Sequence, residues 1–213
     1  MASIVPTITA MNTTEYARQL ARLEFAPRIH IDIADGDFAP SRTVNLNQLY
    51  WDDDKVVDLH LMVRRPAEWL HQVVALAPNL VVLHVESDDA NENLPKIAAH
   101  LGKFGIKFGI AILPETTVES VQNLIEIADY VLVFGGHLGY QGGTADLMQL
   151  SKAMQIRTIN PDIEIAWDGG ANADNITEIA RAGIDVINVG SAIMESDEPE
   201  KAYKELLDFC GTL

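Results

Sequence analysis

Two histidines and two aspartates lie at matching positions in three short runs of alternating residues. The runs read IHIDIADGDF, VVDLHLM and IEIAWDGG. His30 and Asp32 are two apart in the first run, His60 stands in the second, and Asp168 precedes the two glycines of the third. Because successive side chains of a strand point to opposite faces, His30 and Asp32 share one face. Imidazoles and carboxylates that converge from several strands form the ligand set of a divalent metal ion.

We therefore predict one divalent metal ion at His30, Asp32, His60 and Asp168. The ligand types suit Zn²⁺, Fe²⁺, Mn²⁺ or Co²⁺ and do not choose among them. The alternative is that some of the four are interior polar residues satisfied by hydrogen bonds, although burying several unpaired polar groups is costly. His84, in a neighbouring run, is predicted to be such a hydrogen-bonded interior histidine.

Asp32 and Asp168 are also suited to moving a proton beside a carbonyl group. In such a reaction a carboxylate on one face of a carbon removes a proton, and an acid on the other face returns one. A metal ion stabilises the enediolate oxygen that forms between the two steps. The two aspartates come from the second and seventh strand candidates, on opposite sides of a closed barrel. We therefore predict Asp32 and Asp168 to be the catalytic pair.

Strand-like and amphipathic helix-like segments alternate along the whole chain. The strand candidates are SIVPTI, RIHIDI, VVDLHLM, LVVLHVE, IKFGIAIL, YVLVFG, IEIAW and DVINVG. The helix candidates are residues 13–24, 66–77, 91–104, 117–128, 144–155 and 172–183. This order predicts an α/β fold, a single (β/α)8 TIM barrel domain over residues 1–213. An open doubly wound sheet is the alternative, but no GxGxxG follows the first strand, which contains Pro6.

Glycine-rich turns follow the last three strand candidates. They read FGGHLGYQGGT, DGGAN and VGSAI. In barrels, the loops after strands seven and eight often bind phosphate together with a short extra helix, which SAIMESDEP could supply here with Gly190 and Ser191 at its start. Turn geometry alone is the competing explanation for the glycines. Three such turns in one half of the barrel favour phosphate binding.

The composition narrows the kinds of binding partner and the cellular location that we expect. The 213 residues include 31 acidic and 15 basic side chains, a formal net charge of −16, which argues against binding to nucleic acid or an anionic membrane. No secretory signal and no run of bilayer-spanning length is seen. Cys210 is the single cysteine, so we expect neither an internal disulfide nor a cysteine metal cluster. A cytoplasmic location is the simplest interpretation.

From SIVPTI through GSAI the chain resembles the ribulose-phosphate 3-epimerase family. The segments that carry the resemblance are HIDIADGDFAP, DLHLM, LHVE, GYQGG, DGG and VGSAI. It implies a ribulose-phosphate-binding barrel, an isomerase of carbohydrate metabolism in the pentose phosphate reactions, and a homo-oligomer. It assigns the four metal ligands and the catalytic pair as above. The implied substrate and phosphate contacts are Thr7, Met62, His137, Gly142, Gly143, Gly169, Gly170, Gly190 and Ser191.

The cavity residues depart from the family pattern. Thr7 replaces the serine of the first strand, and of three methionines only Met62 remains. The other departures are Ala34 and Phe134 for methionines, Leu113-Pro114 for Asn-Pro, His137-Leu138-Gly139 for Asn-Pro-Gly, and Ala166 for a glutamate. The expected reaction is the interconversion of D-ribulose 5-phosphate and D-xylulose 5-phosphate. An epimerase of a ketohexose phosphate, of the allulose 6-phosphate type, is one alternative, and a non-catalytic sugar-phosphate-binding barrel is another.

Two other barrel chemistries are disfavoured. Orotidine-phosphate decarboxylase and hexulose-phosphate synthase use an Asp-x-Lys-x-x-Asp run, and the corresponding segment here, residues 32–37, has no lysine. A Schiff-base aldolase needs a lysine at the carboxyl end of a strand, and none is found there.

Overall fold

Eight parallel strands close into a barrel in the computed structural model, which describes residues 2–136, 138 and 142–211. The strands are β1 (Ser3–Ile8), β2 (Arg28–Ala34), β3 (Val56–Met62), β4 (Leu80–His84), β5 (Lys107–Ile112), β6 (Tyr130–Phe134), β7 (Glu164–Asp168) and β8 (Val186–Val189). Their order around the barrel is their order in the chain, and β1 pairs with both β2 and β8. The predicted (β/α)8 TIM barrel is confirmed.

Helices pack around the outside of the barrel. They are α1 (Thr13–Arg22), α2 (Leu70–Leu76), α3 (Ala90–Gly102), α4 (Gln122–Ile125), α5 (Ser151–Ile159), α6 (Ile176–Arg181), α7 (Ser191–Met194) and α8 (Pro199–Gly211). The short helix α7 after β8 was predicted and is present. Among the helices of the described residues, none has the length and apolar character that crossing a bilayer requires.

Several predicted helix boundaries were wrong. The helices predicted at 66–77, 117–128 and 144–155 begin as 3-10 turns, and the α-helical parts are shorter or displaced. Pro66 at the first position has no N–H to give, and the Asp146 side chain accepts from the Met148 N–H to close a tight first turn. Between β2 and β3, all of which is described, the one helical segment is the 3-10 turn Leu46–Gln48.

The alternation in β2 separates the hydrophobic layer from the polar interior. Ile29, Ile31 and Ile33 are buried between the barrel and the helices, whereas His30 and Asp32 face inward. The rest of the interior is filled mainly by apolar side chains: Val5, Leu80, Val82, Ala111, Tyr130, Leu132, Ala166 and Val186. The polar groups therefore sit above a packed barrel core at the carboxyl ends of the strands.

Candidate metal centre and active site

The four side chains predicted as metal ligands converge on one point. His60 Nδ1 lies 3.0 Å from Asp32 Oδ1 and 3.7 Å from Asp168 Oδ2. His30 Nε2 lies 3.3 Å from Asp32 Oδ1 and 3.6 Å from Asp168 Oδ2. One ligand atom from each residue lies within 4.8 Å of the other three. In the sheet, Asp32 pairs with His60 across β2 and β3, which fixes two of the ligands at the same height.

The residues fit a divalent metal ion. His30 is fully buried, and its Nε2 finds no hydrogen-bond partner among the described residues although it faces two carboxylates. A buried polar nitrogen without a partner is costly, and a cation placed between it and the carboxylates would satisfy all three groups. Two imidazoles and two carboxylates are also a donor set that first-row divalent ions accept. The cluster could therefore hold one metal ion; the donor set leaves its identity open.

The two aspartates have opposite pKa shifts. Burial by itself would raise the pKa of Asp32. The adjacent His30 and His60 more than offset this effect and hold the pKa of Asp32 well below its usual range. Burial and the nearby charge of Asp32 raise the pKa of Asp168 to about 7. Near neutral pH, before a metal ion binds, Asp32 is therefore the ionised carboxylate and Asp168 the one that can carry a proton.

The two histidines also differ. Burial lowers the pKa of His60 to about 4, which keeps its ring in the neutral form that binds metals. Burial also acts to lower the pKa of His30, but the carboxylates of Asp32 and Asp168 outweigh it and the net shift is upward. Protons on His30 and Asp168 therefore compete with a metal ion that binds at acidic pH.

Polar groups behind the ligands were missed by the sequence reasoning. The Thr9 hydroxyl donates to Asp32 Oδ2 at 2.7 Å, and the Asn188 amide lies 3.2 Å from His30 Nδ1. Asn188 has the inward phase of β8, so its position in the strand was a usable signal. Thr9 follows the last residue of β1 and carried no such signal. His84 is hydrogen-bonded in the interior, as predicted, with Nε2 2.9 Å from His60 Nε2.

A cleft opens above the cluster. Eight of the predicted substrate and phosphate contacts line it: Thr7, Met62, Gly142, Gly143, Gly169, Gly170, Gly190 and Ser191. His137, the ninth, lies outside the described residues. Among the described residues the buried Thr7 hydroxyl has no hydrogen-bond partner, so it is free to bond a ligand in the cleft. The cleft thus joins the candidate metal ligands to the glycine turns.

Gly170 allows the loops after β6 and β7 to approach each other. Its φ is +65°, and a Cβ there would lie 2.4 Å from the Ala145 nitrogen and 2.6 Å from the Gly143 oxygen. Any other residue would push these loops apart and change the glycine-lined end of the cleft. The second glycine of DGG is therefore required because the two backbones approach closely there.

Gly135 gives a testable stability prediction. A Cβ at this position would lie 2.1 Å from Cζ2 of Trp167, whose buried ring is held by its Nε1–H bond to the Gly169 oxygen. We expect Gly135→Ala to lower the free energy of unfolding by about 3 kcal/mol or more, because the overpacked ring has no room to move.

Urea unfolding measures this effect, with Gly102→Ala as the matched control. Apart from its chain neighbours and its own helix backbone, no described atom lies within 4 Å of a Cβ at Gly102, which ends α3. This change should therefore leave stability equal or slightly higher. Equal stability of the two variants would contradict the packing described for Trp167.

The fold and the site together define a TIM-barrel enzyme architecture with a candidate metal centre at the carboxyl ends of its strands. The chain belongs to the ribulose-phosphate 3-epimerase family, whose model matches residues 3–194. It is 30% identical to the ribulose-phosphate 3-epimerase of Mycobacterium bovis, covering 95% of this chain and 90% of the relative. It is 28% identical to the enzyme of the same name from Helicobacter pylori, covering 95% of each. The predicted enzyme class, a carbohydrate epimerase and thus an isomerase, is confirmed.

A solved structure shows the same fold at lower identity. The 3-hexulose-6-phosphate synthase of Salmonella typhimurium superposes with a TM-score of 0.73 at 15% identity, covering 99% of both chains. At this identity the likeness concerns the barrel alone.

Proposed function

We propose that this protein inverts C3 of a ketose phosphate, converting D-ribulose 5-phosphate to D-xylulose 5-phosphate through a 2,3-enediolate. The observation that carries the proposal is the pair Asp32 and Asp168, which face one point with pKa values shifted in opposite directions. Such a pair supplies one base and one acid at the same pH. Membership of the epimerase family supports the same reaction.

The proton movements balance between the two aspartates. The Asp32 carboxylate takes the C3 proton, and the electrons of the broken C–H bond form the C2–C3 double bond of the enediolate. Asp168 holds a proton on Oδ1, the oxygen that does not face the histidines, and gives it to C3 from the opposite face, which restores the carbonyl at C2 with inverted configuration. The reverse reaction exchanges the two roles. When bound, a divalent ion held by His30, His60 and the two aspartates supplies positive charge that stabilises the enediolate oxygens.

The glycine turns are proposed to bind the phosphate group. Gly142, Gly143, Gly170 and Gly190 line the cleft on the side of the last three strands, and Ser191 follows directly. Backbone N–H groups in such turns bind phosphate without a basic side chain, so the net charge of −16 is no obstacle. Thr7 is proposed to bond a substrate hydroxyl.

The size of the sugar is the part of the proposal with a specific rival. Ala34 stands where the resembled family has a methionine, beside Met62 in the sheet register, and its small side chain favours a longer ketohexose phosphate. Phe134, at a second former methionine position, lines the cleft and acts against that enlargement. We therefore propose the pentulose phosphate first and the hexulose phosphate second.

Comparing kcat/KM for pentulose and hexulose phosphates on freshly metallated protein tests the function. We expect turnover of D-ribulose 5-phosphate with solvent deuterium incorporated at C3. Ala34→Met should lower any hexulose turnover more than the pentulose turnover, because it restores the bulk of the family's methionine beside Met62. If no ketose phosphate reacts while sugar phosphate still binds, the protein is a non-catalytic sugar-phosphate-binding barrel.

Other predictions remain part of the proposal. They are the single domain over residues 1–213, the homo-oligomer, the cytoplasmic location, and the absence of nucleic acid and membrane partners.

A further inference from the structure

A chain of three side chains leads away from the candidate metal centre. His60 Nε2 lies 2.9 Å from His84 Nε2, and His84 Nδ1 lies 3.3 Å from Glu86 Oε2. Both histidines are buried, whereas Glu86 is partly exposed beside the mouth of the barrel. The predicted strand LVVLHVE ends two residues early, at His84, which lets Glu86 leave the sheet and turn back toward the histidine ring.

The proton positions along this chain follow from the metal site. If His60 binds a metal ion through Nδ1, the neutral ring carries its proton on Nε2. That N–H points at His84 Nε2, which must then act as the acceptor. His84 therefore carries its own proton on Nδ1, where Glu86 Oε2 accepts it. With these proton positions, each N–H of the two histidine rings faces an acceptor.

Glu86 is fixed as an acceptor by its second oxygen. The backbone N–H of Leu113 donates to Oε1 at 2.9 Å, and the Thr116 hydroxyl donates to the same oxygen. Burial raises the pKa of Glu86, but the bonds from His84, Thr116 and Leu113 outweigh burial and the net shift is downward. The Lys152 ammonium in turn donates to the carbonyls of Leu113 and Pro114 and so holds this loop in place.

We propose that Glu86 and His84 are positioning residues that hold His60 in the tautomer whose Nδ1 can bind the metal ion. The inference rests on the metal centre of the proposed function. It assigns a role to two residues that are not among the four candidate metal ligands and do not line the cleft. Outer partners of this kind typically change metal affinity 10- to 100-fold when they are lost.

Glu86→Gln is the sharpest test. It reverses the direction of the hydrogen bonds between Glu86, His84 and His60 while keeping the shape of the side chain. The Leu113 N–H can only donate and therefore requires an oxygen at the Oε1 position, so the amide nitrogen must face His84. His84 Nδ1 then becomes an acceptor and its proton moves to Nε2. His60 Nε2 must accept that proton's bond, which leaves the proton of His60 on Nδ1, the atom that should bind metal.

The experiment measures Zn²⁺ affinity of the full chain by competition with a chromophoric chelator. We expect Glu86→Gln and His84→Phe each to raise the Kd for Zn²⁺ by about 10- to 100-fold. Glu92→Gln is the matched control, because this exposed glutamate of α3 pairs with Lys96 far from the site, and its Kd should equal that of wild type. In ¹⁵N-histidine spectra of the zinc-loaded wild type, His60 should carry its proton on Nε2 and His84 on Nδ1.

The possible outcomes separate the two proposals. A Kd in Glu86→Gln equal to that of wild type and Glu92→Gln would overturn the positioning role and leave the metal centre intact. Failure of the wild type to bind any divalent ion would overturn both. If His84→Phe does not fold, as judged by circular dichroism, the isosteric Glu86→Gln decides alone. A merely structural role would lower the melting temperature of Glu86→Gln without altering the Kd of the folded protein.

Discussion

Asp32→Asn and Asp168→Asn are each expected to lower kcat for epimerisation by about 10²- to 10⁴-fold while the barrel stays folded. An amide has nearly the shape of the carboxylate but cannot accept a proton from carbon or return one. Each change also removes a candidate metal ligand, which adds to the loss. Both side chains lie at the open end of the barrel rather than in its packed core, so the fold should tolerate them.

Solvent-deuterium exchange at C3 gives the sharper measurement. Because each aspartate serves one face of the carbon, each variant should retain exchange with one of the two epimeric substrates and lose it with the other. Asp174→Asn is the control, since this exposed aspartate follows β7 in the same loop region and should leave kcat unchanged. Unaltered exchange of both epimers in both variants would show that another residue moves the proton.

Removal of divalent metal is expected to reduce kcat to below about one per cent of its value, and addition of Zn²⁺, Mn²⁺ or Co²⁺ to restore it. Without the cation, the negative charge that develops on the enediolate oxygen would have no positive charge beside it to stabilise it. His60→Ala should bind metal far more weakly. The exposed His71 of α2 provides the control His71→Ala. Full activity after exhaustive chelation, checked by elemental analysis, would rule out the metal centre.

Metal affinity should also fall as the pH falls through 7. Asp168, with its pKa raised to about 7, and His30, with its pKa raised, hold protons that compete with the ion for these side chains. Asp32 and His60, with lowered pKa values, are already deprotonated and contribute nothing to this dependence above about pH 5. The Kd should therefore rise by about tenfold per pH unit for each proton displaced.

Calorimetry at pH 6 and pH 8, in buffers of different ionisation enthalpy, counts these protons. An affinity independent of pH would contradict the assignment of Asp168 as a ligand.

The sequence was enough to predict which side chains of the site point into the barrel, because the alternation of side chains is a local property of strands. His30 and Asp32 are two residues apart, so they share a face whatever the rest of the chain does. The alternation of strand and helix segments was enough to predict the barrel, and a barrel brings the carboxyl ends of its strands together. Helix boundaries were predicted less well, because capping by Asp146 or the placement of Pro66 shifts the first turn by a few residues.

Distances and proton affinities were decided by the tertiary structure alone. The opposite pKa shifts of Asp32 and Asp168 depend on burial and on which charges lie nearest, and both follow from barrel closure. The partners of the histidines are likewise non-local: Asn188 reaches His30 from 158 residues away in sequence. Glu86 meets the Leu113 N–H only because β4 and β5 are neighbours in the sheet. The sequence by itself determined which side chains face the centre of the barrel, since that depends on a period of two. The fold determined what each of them contacts there, since those contacts join strands that are far apart in the chain.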